Sequence, residues 1–434
     1  MPDYEYYLAQ FVDIHGRSKA KLVPAKHRDM IFGAGAGFAG FAIAGMGMGP
    51  HGQEFMAVGD PGSLRTVSWM PGIANVTCDG HVGGAPHPLD SRVIAKKAIA
   101  AFKQQTGLEF FTGLEPEFFL LKQQADGEYA VATGSESLDK PCYDFRHLSS
   151  VSGFLTDLHA ALEAANIDVY QIDHEDANGQ FEVNFTYADA LRTADNLTFF
   201  RMAATAIAKK HNMLCSFMPK PFGERSGSGL HMHMSAGAAF GDNAFEDAND
   251  PQGMRLSALA YHFLGGLMAH AAGLTALAAP CVNSYQRLVS RGSRSGATWA
   301  PINIAYGNNN RTAFVRAPGG RLELRVPDAA ANPYLLTAAV IYSGLDGIAR
   351  NLAPGAPCNE NLYDFNLAEL ASRGIARLPS SLPAALDALE LDPVLCAGLG
   401  SAFIDEFTHI KRLEADAVMQ QVSPAEFKRY IDFF

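Results

Sequence analysis

The chain has 434 residues, of which 48% are hydrophobic and 18% are charged, so it can bury a large core over two or three domains. Its 45 acidic residues outnumber its 34 basic residues, and the net charge of −11 argues against nucleic acid as a partner. The six cysteines are too widely spaced for a zinc cluster or a disulfide scaffold, which is typical of a reducing cytoplasm. The N-terminus lacks the basic region of a secretory signal, so we expect a cytoplasmic protein.

The first domain is predicted to span residues 1–105. Residues 5–24 are predicted to form a β-hairpin, because two alternating apolar and polar runs flank Gly16. Residues 33–52 are rich in glycine and alanine, and they fit either a surface loop or a loop that closes over a site. Asp90 is predicted to cap a helix that runs to about Gln105. We therefore place the domain boundary directly after this helix.

The second domain, residues 106–434, is predicted to alternate strands and helices and to end in helices after about Leu382. One uncharged run, from Phe263 to Val282, is long enough to cross a membrane. Its many alanines and glycines, and His270 within it, favour a buried pair of helices instead. We expect no membrane partner.

Two predicted strand segments of the second domain carry an unusual density of carboxylates. Because alternate residues of a strand share a face, Glu115 and Glu117 point the same way, and the phenylalanines around them leave little room for solvent. Residues 169–185 are predicted to form a hairpin on which Asp173, Glu175 and Glu182 face together. This hairpin fits either a metal site or a polar hairpin end.

Two further strands add imidazole and guanidinium groups. His231 and His233 share one strand face, whereas a lone histidine is usually structural. After a predicted hairpin turn, Arg321, Glu323 and Arg325 share another face, which fits either a phosphate site or an exposed salt-bridged ladder. Oxygen-rich ligands without thiolates select Mg²⁺ or Mn²⁺, and two such ions beside arginines imply chemistry on a polyphosphate.

Five segments, in this order, resemble the signature segments of the glutamine synthetase family: GLEPEFF, HEDANGQFE, GSGLHMHMS, NSYQRL and RLELRVPDAAANPY. Both ends of the chain are also similar, so the resemblance covers essentially the whole sequence. It implies an α+β fold, with a β-grasp-like N-terminal domain and a larger catalytic α/β domain. It also implies a homo-oligomer, commonly a dodecamer of two hexameric rings, in which residues 33–52 reach a neighbouring subunit's site.

The resemblance implies roles for the charged side chains. The metal ligands would be Glu117, Glu175 and Glu182 for one ion, and Glu115, His231 and Glu323 for the other. Glutamate would be contacted by Arg287, Gly227 and Glu117. ATP would be contacted by His233, Ser235, Arg311, Arg316 and Arg321.

The implied reaction has two steps. The γ-carboxylate of glutamate attacks the γ-phosphorus of ATP, and an amine then displaces phosphate from γ-glutamyl phosphate. Glu182, Arg311 and Arg325 would lie at the reacting groups, where positive charge stabilises the phosphoryl transfer. The second step needs a neutral amine, and Asp173 is predicted to accept its proton because it shares a strand face with Glu175.

The residues that would surround the amine depart from the family pattern. Ala39 stands where ammonia-using members carry an aspartate, and Trp299 stands where the mobile flap usually carries a glutamate. Ser226 replaces an asparagine. Losing a carboxylate makes room for a methyl group, and an aromatic wall attracts an alkylammonium ion. Since every metal and phosphate residue remains, the pattern argues against a non-catalytic relative. Within the family, the chain most resembles the γ-glutamylmethylamide synthetases and their close relatives, the type III glutamine synthetases.

Other functions stay open at this point. The alternatives are a glutamine synthetase that uses ammonia, a γ-glutamyl ligase for a larger amine or polyamine, and, more distantly, a non-catalytic structural ring. Tyr363 matches a segment that is nucleotidylated in some family members, although a packed tyrosine is the simpler interpretation.

Overall fold

The computed structural model describes residues 4–134, 139–296 and 298–432. The N-terminal sheet consists of β1 (Tyr6–Val12), β2 (Ser18–Pro24), β3 (Ala36–Phe38), β4 (Phe55–Gly59), β5 (Arg65–Thr66), β6 (Ile73–Val82) and β7 (Ala85–Pro86). Its main path runs β2-β1-β6-β4-β3, with β1 and β6 parallel. The predicted hairpin around Gly16 is confirmed as β1 and β2. Residues 33–52 are not wholly irregular, because β3 pairs with β4.

The remaining strands are β8 (Glu109–Gln123), β9 (Tyr129–Val131), β10 (Val169–His174), β11 (Gln180–Phe185), β12 (Ala188–Asp189), β13 (Leu214–Ser216), β14 (Leu230–Gly237), β15 (Asn303–Ile304), β16 (Tyr306–Asn308), β17 (Val315–Ala317), β18 (Leu322–Leu324) and β19 (Ala376–Arg377). Ten of them form a large sheet whose main path runs β10-β11-β8-β14-β18-β17-β16, while β15 pairs with β19. The long strand β8 is antiparallel to both β11 and β14. All four charged segments therefore meet on one sheet.

The helices are α1 (Arg28–Phe32), α2 (Ser91–Thr106), α3 (Phe145–Ser150), α4 (Ser152–Glu163), α5 (Ala190–Lys210), α6 (Ala258–Ala269), α7 (Ala271–Ala278), α8 (Ser284–Arg287), α9 (Pro333–Arg350), α10 (Leu367–Ser372), α11 (Leu382–Glu390), α12 (Pro393–Leu399), α13 (Ser401–Met419) and α14 (Pro424–Tyr430). The Asp90 carboxylate caps α2 as predicted, by accepting a hydrogen bond from the Val93 N–H. The pair α6 and α7 confirms the predicted buried helices. Within the described ranges, no helix combines the length and apolarity that a bilayer crossing requires.

Two apolar clusters support the two sheets. Phe11 and Phe55 lie in a cluster beneath the N-terminal sheet, with ring centroids 4.7 Å apart. Phe102 of α2 packs instead on Phe110 of β8, at 4.9 Å, within the much larger cluster that also covers α9. Helix α2 therefore lies between the N-terminal sheet and the large sheet.

A buried ion network, the Arg92 network, joins these layers. It contains one buried guanidinium, one lysine and three aspartates: Arg92, Lys96, Asp60, Asp79 and Asp195. The guanidinium lies 2.9 Å from carboxylate oxygens of Asp60 and Asp195, and 2.6 Å from one of Asp79. Each aspartate therefore contacts a cation of the chain itself.

Candidate active site

The register of the large sheet gathers the predicted metal ligands. Glu182 of β11 lies opposite Asp173 on one side and opposite Glu117 of β8 on the other. Across the next pairing, His231 of β14 lies opposite Glu115. Because paired residues of neighbouring strands point to the same face, the backbone alone brings these side chains together.

Glu117, Glu175 and Glu182 form a group, here called the carboxylate cluster, whose facing oxygens all lie within 4.8 Å of one another. One oxygen of Glu117 is held in place, because it accepts hydrogen bonds from the Gly229 N–H at 2.8 Å and from the Gln180 amide at 2.7 Å. Such second contacts orient a carboxylate toward a cation.

A positive charge would stabilise the ionised forms of the carboxylate cluster. Burial, with the nearby charges of Glu117 and Asp173, raises the pKa of Glu175 to about 8. Burial and the charge of Glu175 raise the pKa of Glu182 well above its usual value. A set of carboxylate oxygens is the ligand type that Mg²⁺ and Mn²⁺ prefer, so these residues fit a hard divalent cation.

The second predicted ligand set lies beside the first. The carboxylate of Glu115 is 3.3 Å from His231 Nδ1 and 2.9 Å from His233 Nε2. His231 Nδ1 is also 4.0 Å from a Glu323 oxygen. Burial opposes ionisation of Glu115, but its contacts with the two histidines hold its pKa below the usual range.

Glu323 is also paired with arginines. It contacts Arg325 directly, and its second oxygen lies 2.8 Å from Arg316. Burial works against the charge of Glu323, yet Arg325 and then His231 keep its pKa below the usual range. This end of the site therefore combines metal-ligand chemistry with phosphate-binding groups.

A cavity of about 360 Å³, here called the smaller cavity, collects most of the predicted substrate residues. Its lining includes Glu117, Glu175, Gly227, His231, Arg287, Trp299, Arg311 and Arg325. A Cβ at Gly227 would lie 2.3 Å from the Pro219 carbonyl oxygen, so only glycine fits this close approach. Trp299 adopts a left-handed φ of 55°, a costly conformation that is common at functional sites.

A second cavity of about 500 Å³, here called the larger cavity, is lined in part by Glu115. It is lined by His233, Ser235 and Arg321, as predicted for the nucleotide side. The Arg321 Nε donates to His233 Nδ1 at 3.2 Å. Arg316 lines neither cavity, since its guanidinium is held by Glu323 and by Asn309, and Arg311 lines the smaller cavity. Of the five predicted ATP residues, three thus line the larger cavity, one lines the smaller cavity, and Arg316 lines neither.

Five predicted site residues line neither cavity: Asp173, Glu182, Ala39, Arg316 and Glu323. Asp173 is buried beside the carboxylate cluster, where Gln171 donates to one of its oxygens at 2.6 Å. Its other oxygen has no hydrogen-bond partner within the described part of the chain, and burial, with the charge of Glu117, raises its pKa. Ala39 is exposed on the N-terminal sheet, next to the turn at residues 40–42.

Several residues that line the smaller cavity were not predicted from the sequence. They include Lys140, Tyr143, Asp176, Gln180 and Ser295. Asp176 and Gln180 belong to the HEDANGQFE motif, so the motif contained this information, although it predicts only a turn there. Tyr143 has a left-handed φ of 63°, a feature that no local pattern reveals.

The larger cavity also has aromatic residues that the sequence did not single out. Tyr187 lines it and stacks on Phe240, with ring centroids 4.8 Å apart.

Tyr363 is half-buried, and its hydroxyl donates to the Ala300 carbonyl oxygen at 2.6 Å, as a packed tyrosine would.

Comparisons with known proteins agree with this geometry. A family model described as "Glutamine synthetase, catalytic domain" matches residues 88–430. The chain is 52% identical to the "Glutamate--methylamine ligase" of Methyloversatilis universalis, covering 99% of this chain and 97% of that protein. It is 39% identical to a "Glutamine synthetase" of Rhizobium leguminosarum bv. phaseoli, covering 95% and 93%.

A solved structure, "GmaS/ADP complex-Conformation 1", is 42% identical and covers 99% of this chain and 97% of its own, with a TM-score of 0.92. A ligand-free structure, "Apo GmaS without ligand", is 41% identical with a TM-score of 0.90. The predicted resemblance and the mixed α+β fold class are therefore confirmed, and the chain belongs to the glutamine synthetase family.

Proposed function

We propose that this protein is an ATP-dependent ligase that joins glutamate to methylamine and forms γ-glutamylmethylamide through γ-glutamyl phosphate. The observation that carries the proposal is the smaller cavity, where Trp299 stands at the flap position while the carboxylate cluster beside it is intact. The 52% identity to a relative named as a glutamate–methylamine ligase supports the same acceptor.

Glu117, Glu175 and Glu182 would hold one Mg²⁺ or Mn²⁺ ion, and Glu115, His231 and Glu323 would hold a second. Bound there, the ions would neutralise charge on the polyphosphate. The arginines would add further positive charge, with Arg316, Arg321 and Arg311 along the phosphates and Arg325 at the transferred group. A structural neighbour is named as an ADP complex, which supports nucleotide binding, and the nucleotide would occupy the larger cavity beside His233 and Ser235.

Glutamate would occupy the smaller cavity. Arg287 is buried and donates to the carbonyl oxygens of Val326 at 3.0 Å and Arg325 at 3.2 Å, so its orientation is fixed. Its other N–H groups would bind the α-carboxylate of glutamate, near Gly227. The γ-carboxylate would then face Arg325 and the carboxylate cluster.

Methylamine would enter beside Trp299, whose ring face would attract methylammonium with about 0.5–2 kcal/mol. Asp173, at the metal-ligand hairpin, would accept the proton that the amine must lose. One methyl group discriminates by only about 1–3 kcal/mol, so ammonia should remain a poor substrate rather than none.

We also propose that the enzyme works in the cytoplasm as a dodecamer of two hexameric rings. Its N-terminal domain, residues 1–105, would present the loop at residues 33–52 to the catalytic domain, residues 106–434, of a neighbour. Ala39 would then lie in that neighbour's acceptor site. The exposed side chain of Phe41 in this loop, of which 57% is accessible, supports a contact made by a second copy.

The test is ATP hydrolysis with glutamate and ammonia, methylamine, ethylamine or putrescine, each assayed side by side. We expect the highest kcat/KM with methylamine. A value for ammonia at or above it would favour a glutamine synthetase, and a higher value for putrescine would favour a polyamine ligase. Absence of turnover with every amine would favour a non-catalytic ring.

The proposed role of Asp173 needs its own experiment. Asp173→Asn should slow amide formation more than it slows formation of γ-glutamyl phosphate, because only the second step needs a proton acceptor. Rapid quenching of a single turnover measures both steps. Equal slowing of the two would remove Asp173 from this role.

A further inference from the structure

A network of hydroxyl and carboxylate groups joins three segments around the smaller cavity. Asp176 directly follows Glu175, at the tip of the β10–β11 hairpin. One of its carboxylate oxygens accepts hydrogen bonds from the hydroxyls of Ser226 and Ser295. The Ser293 hydroxyl extends the network, at 2.7 Å from Ser295 Oγ and 3.4 Å from Ser226 Oγ.

Two of these serines belong to residues 290–296, here called the basic segment. Gly292 and Gly296 flank the serines with left-handed φ angles of 103° and 92°, a conformation that favours glycine. The segment also touches Glu224, because the Arg294 N–H donates to its carbonyl oxygen at 3.0 Å. The basic segment therefore has a glycine on each side of Ser295, the residue that contacts Asp176.

The chain that follows the basic segment is fixed separately. Arg325 donates to the Trp299 carbonyl oxygen at 3.4 Å, and Tyr363 holds the next carbonyl, that of Ala300. Trp299 is therefore anchored from the phosphate side of the site. The Asp176 contacts act on the opposite, upstream side.

All three members of the central contact, Asp176, Ser226 and Ser295, line the smaller cavity. The network thus forms part of the lining of the proposed glutamate site. Hydrogen bonds to an ionised carboxylate are the stronger class, so one aspartate can hold two segments at once.

We propose that Asp176 is a positioning residue, which holds the basic segment against the smaller cavity and so keeps water away from γ-glutamyl phosphate. The proposal rests on the proposed function for the presence of this intermediate, whatever the acceptor amine. If the segment opens, water attacks the γ-carbonyl carbon in place of the amine. A C–O bond to water forms, the bond to phosphate breaks, a proton goes to solvent, and the products are glutamate and phosphate.

Trypsin provides a direct test of the contact. Arg291 and Arg294 are exposed within the basic segment, and cleavage there follows the population of the open segment when opening is fast. Ser295→Ala and Asp176→Asn should be cut roughly tenfold faster than wild type, as expected when a hydrogen bond to a charged group is lost. Ser295→Thr keeps the hydroxyl and should restore the slow rate.

Ser152→Ala is the matched control, because Ser152 is an exposed serine of α4 whose hydroxyl donates only to a local carbonyl oxygen, that of Ser149, at 2.9 Å. Its cleavage rate should equal that of wild type. Ser295→Ala decides the outcome if Asp176→Asn disturbs the neighbouring Glu175, since Ser295 lies on a different segment. Cleavage of Ser295→Ala at the wild-type rate would overturn the proposal.

The second measurement is the amount of amide formed per ATP consumed. It should fall in Ser295→Ala and Asp176→Asn, while the KM for ATP in Ser295→Ala stays at the wild-type value. Faster cleavage with an unchanged ratio would also overturn the positioning role. The trypsin result does not depend on which amine is used, so it stands or fails separately from the choice of methylamine.

Discussion

The Arg92 network and the carboxylate cluster are both buried groups of at least three acidic side chains, but they differ in how their charge is balanced. In the Arg92 network, each aspartate contacts a guanidinium or ammonium group of the chain. Burial opposes ionisation of Asp60, yet its contact with Arg92 holds its pKa below the usual value. This network is complete within one subunit.

The carboxylate cluster shows the opposite pattern. The pKa of Glu175 rises to about 8, and that of Glu182 also rises, because burial and neighbouring carboxylates disfavour their charged forms. Its hydrogen-bond donors, such as Gln180 and the Gly229 N–H, are neutral. An added divalent cation would balance this cluster.

This difference in charge balance indicates that the Arg92 network serves stability and the carboxylate cluster serves function. Removing one partner of a paired buried network destabilises the fold, because the remaining charge is left uncompensated. A buried group of like charges costs stability, so it is kept where a ligand compensates for it. The following experiments act on one group at a time.

The largest expected effect is the loss of the first chemical step when a metal ligand is removed. Glu117→Ala or Glu323→Ala should lower phosphate release by roughly 10³-fold even with saturating amine, since a preorganised electrostatic group is lost. Glu109→Ala, on the same strand as Glu117 but paired with Lys103, is the control and should keep normal turnover. Near-normal turnover of either variant at limiting Mg²⁺ would contradict the metal assignment.

Breaking the balanced network should change stability instead. Arg92→Leu leaves the buried Asp195 and the half-buried Asp60 and Asp79 without their guanidinium, and we expect a loss of about 3–5 kcal/mol in the free energy of unfolding. Urea denaturation with and without Mg²⁺ measures it. The loss should be the same in both conditions, because Arg92 is not part of the metal site.

Mg²⁺ should act through the two proposed metal sites rather than through the Arg92 network, and Glu182→Gln alters the carboxylate cluster. At about 100 times its dissociation constant, a ligand that binds only the folded state adds about 2.7 kcal/mol to the free energy of unfolding. We expect this gain in wild type and in Arg92→Leu, but a much smaller one in Glu182→Gln. Equal Mg²⁺ stabilisation of Glu182→Gln and wild type would show that the cation binds elsewhere.

The sequence predicted the elements of the large sheet well, because local signals fix them. Asp90 at the start of α2, the turns that join β10 to β11 and β17 to β18, and the alternation on β8 are all short-range patterns. The shared strand faces then follow from the period of a strand. The proximity of Glu117 to Glu182 depends on which strands pair, and the family resemblance supplied that information.

What the sequence did not predict depends on contacts between distant residues. The sequence predicts only a turn at Asp176. The fold brings Ser295, which is 119 positions away, to the Asp176 carboxylate. The short strand β3 forms within a glycine-rich stretch because β4 offers it a partner. Likewise, the left-handed backbone of Tyr143 reflects its surroundings rather than its residue type.

A third acidic site differs from both groups, because the balance of its charge depends on a single proton. His270, between α6 and α7, lies 2.7 Å from Asp392 and 3.1 Å from Asp346. Burial alone would lower the pKa of His270, but the hydrogen bonds to these two carboxylates raise it above the usual value. Protonated His270 therefore balances the two acids, as Arg92 does in its network.

The stabilisation from His270 should be fully present below the pKa of an unfolded histidine, about 6.5, and should be lost as the pH rises through the higher folded-state pKa. At pH 5.5, His270→Gln should thus be less stable than wild type by about 1 kcal/mol, and the difference should shrink in alkaline buffer. Thermal unfolding across this range measures it. His262→Gln is the matched control, since His262 of α6 contacts a carbonyl oxygen, that of Leu352 at 3.2 Å, and no carboxylate among the described residues. A His270→Gln difference that stays constant with pH would show that the two aspartates do not depend on this proton.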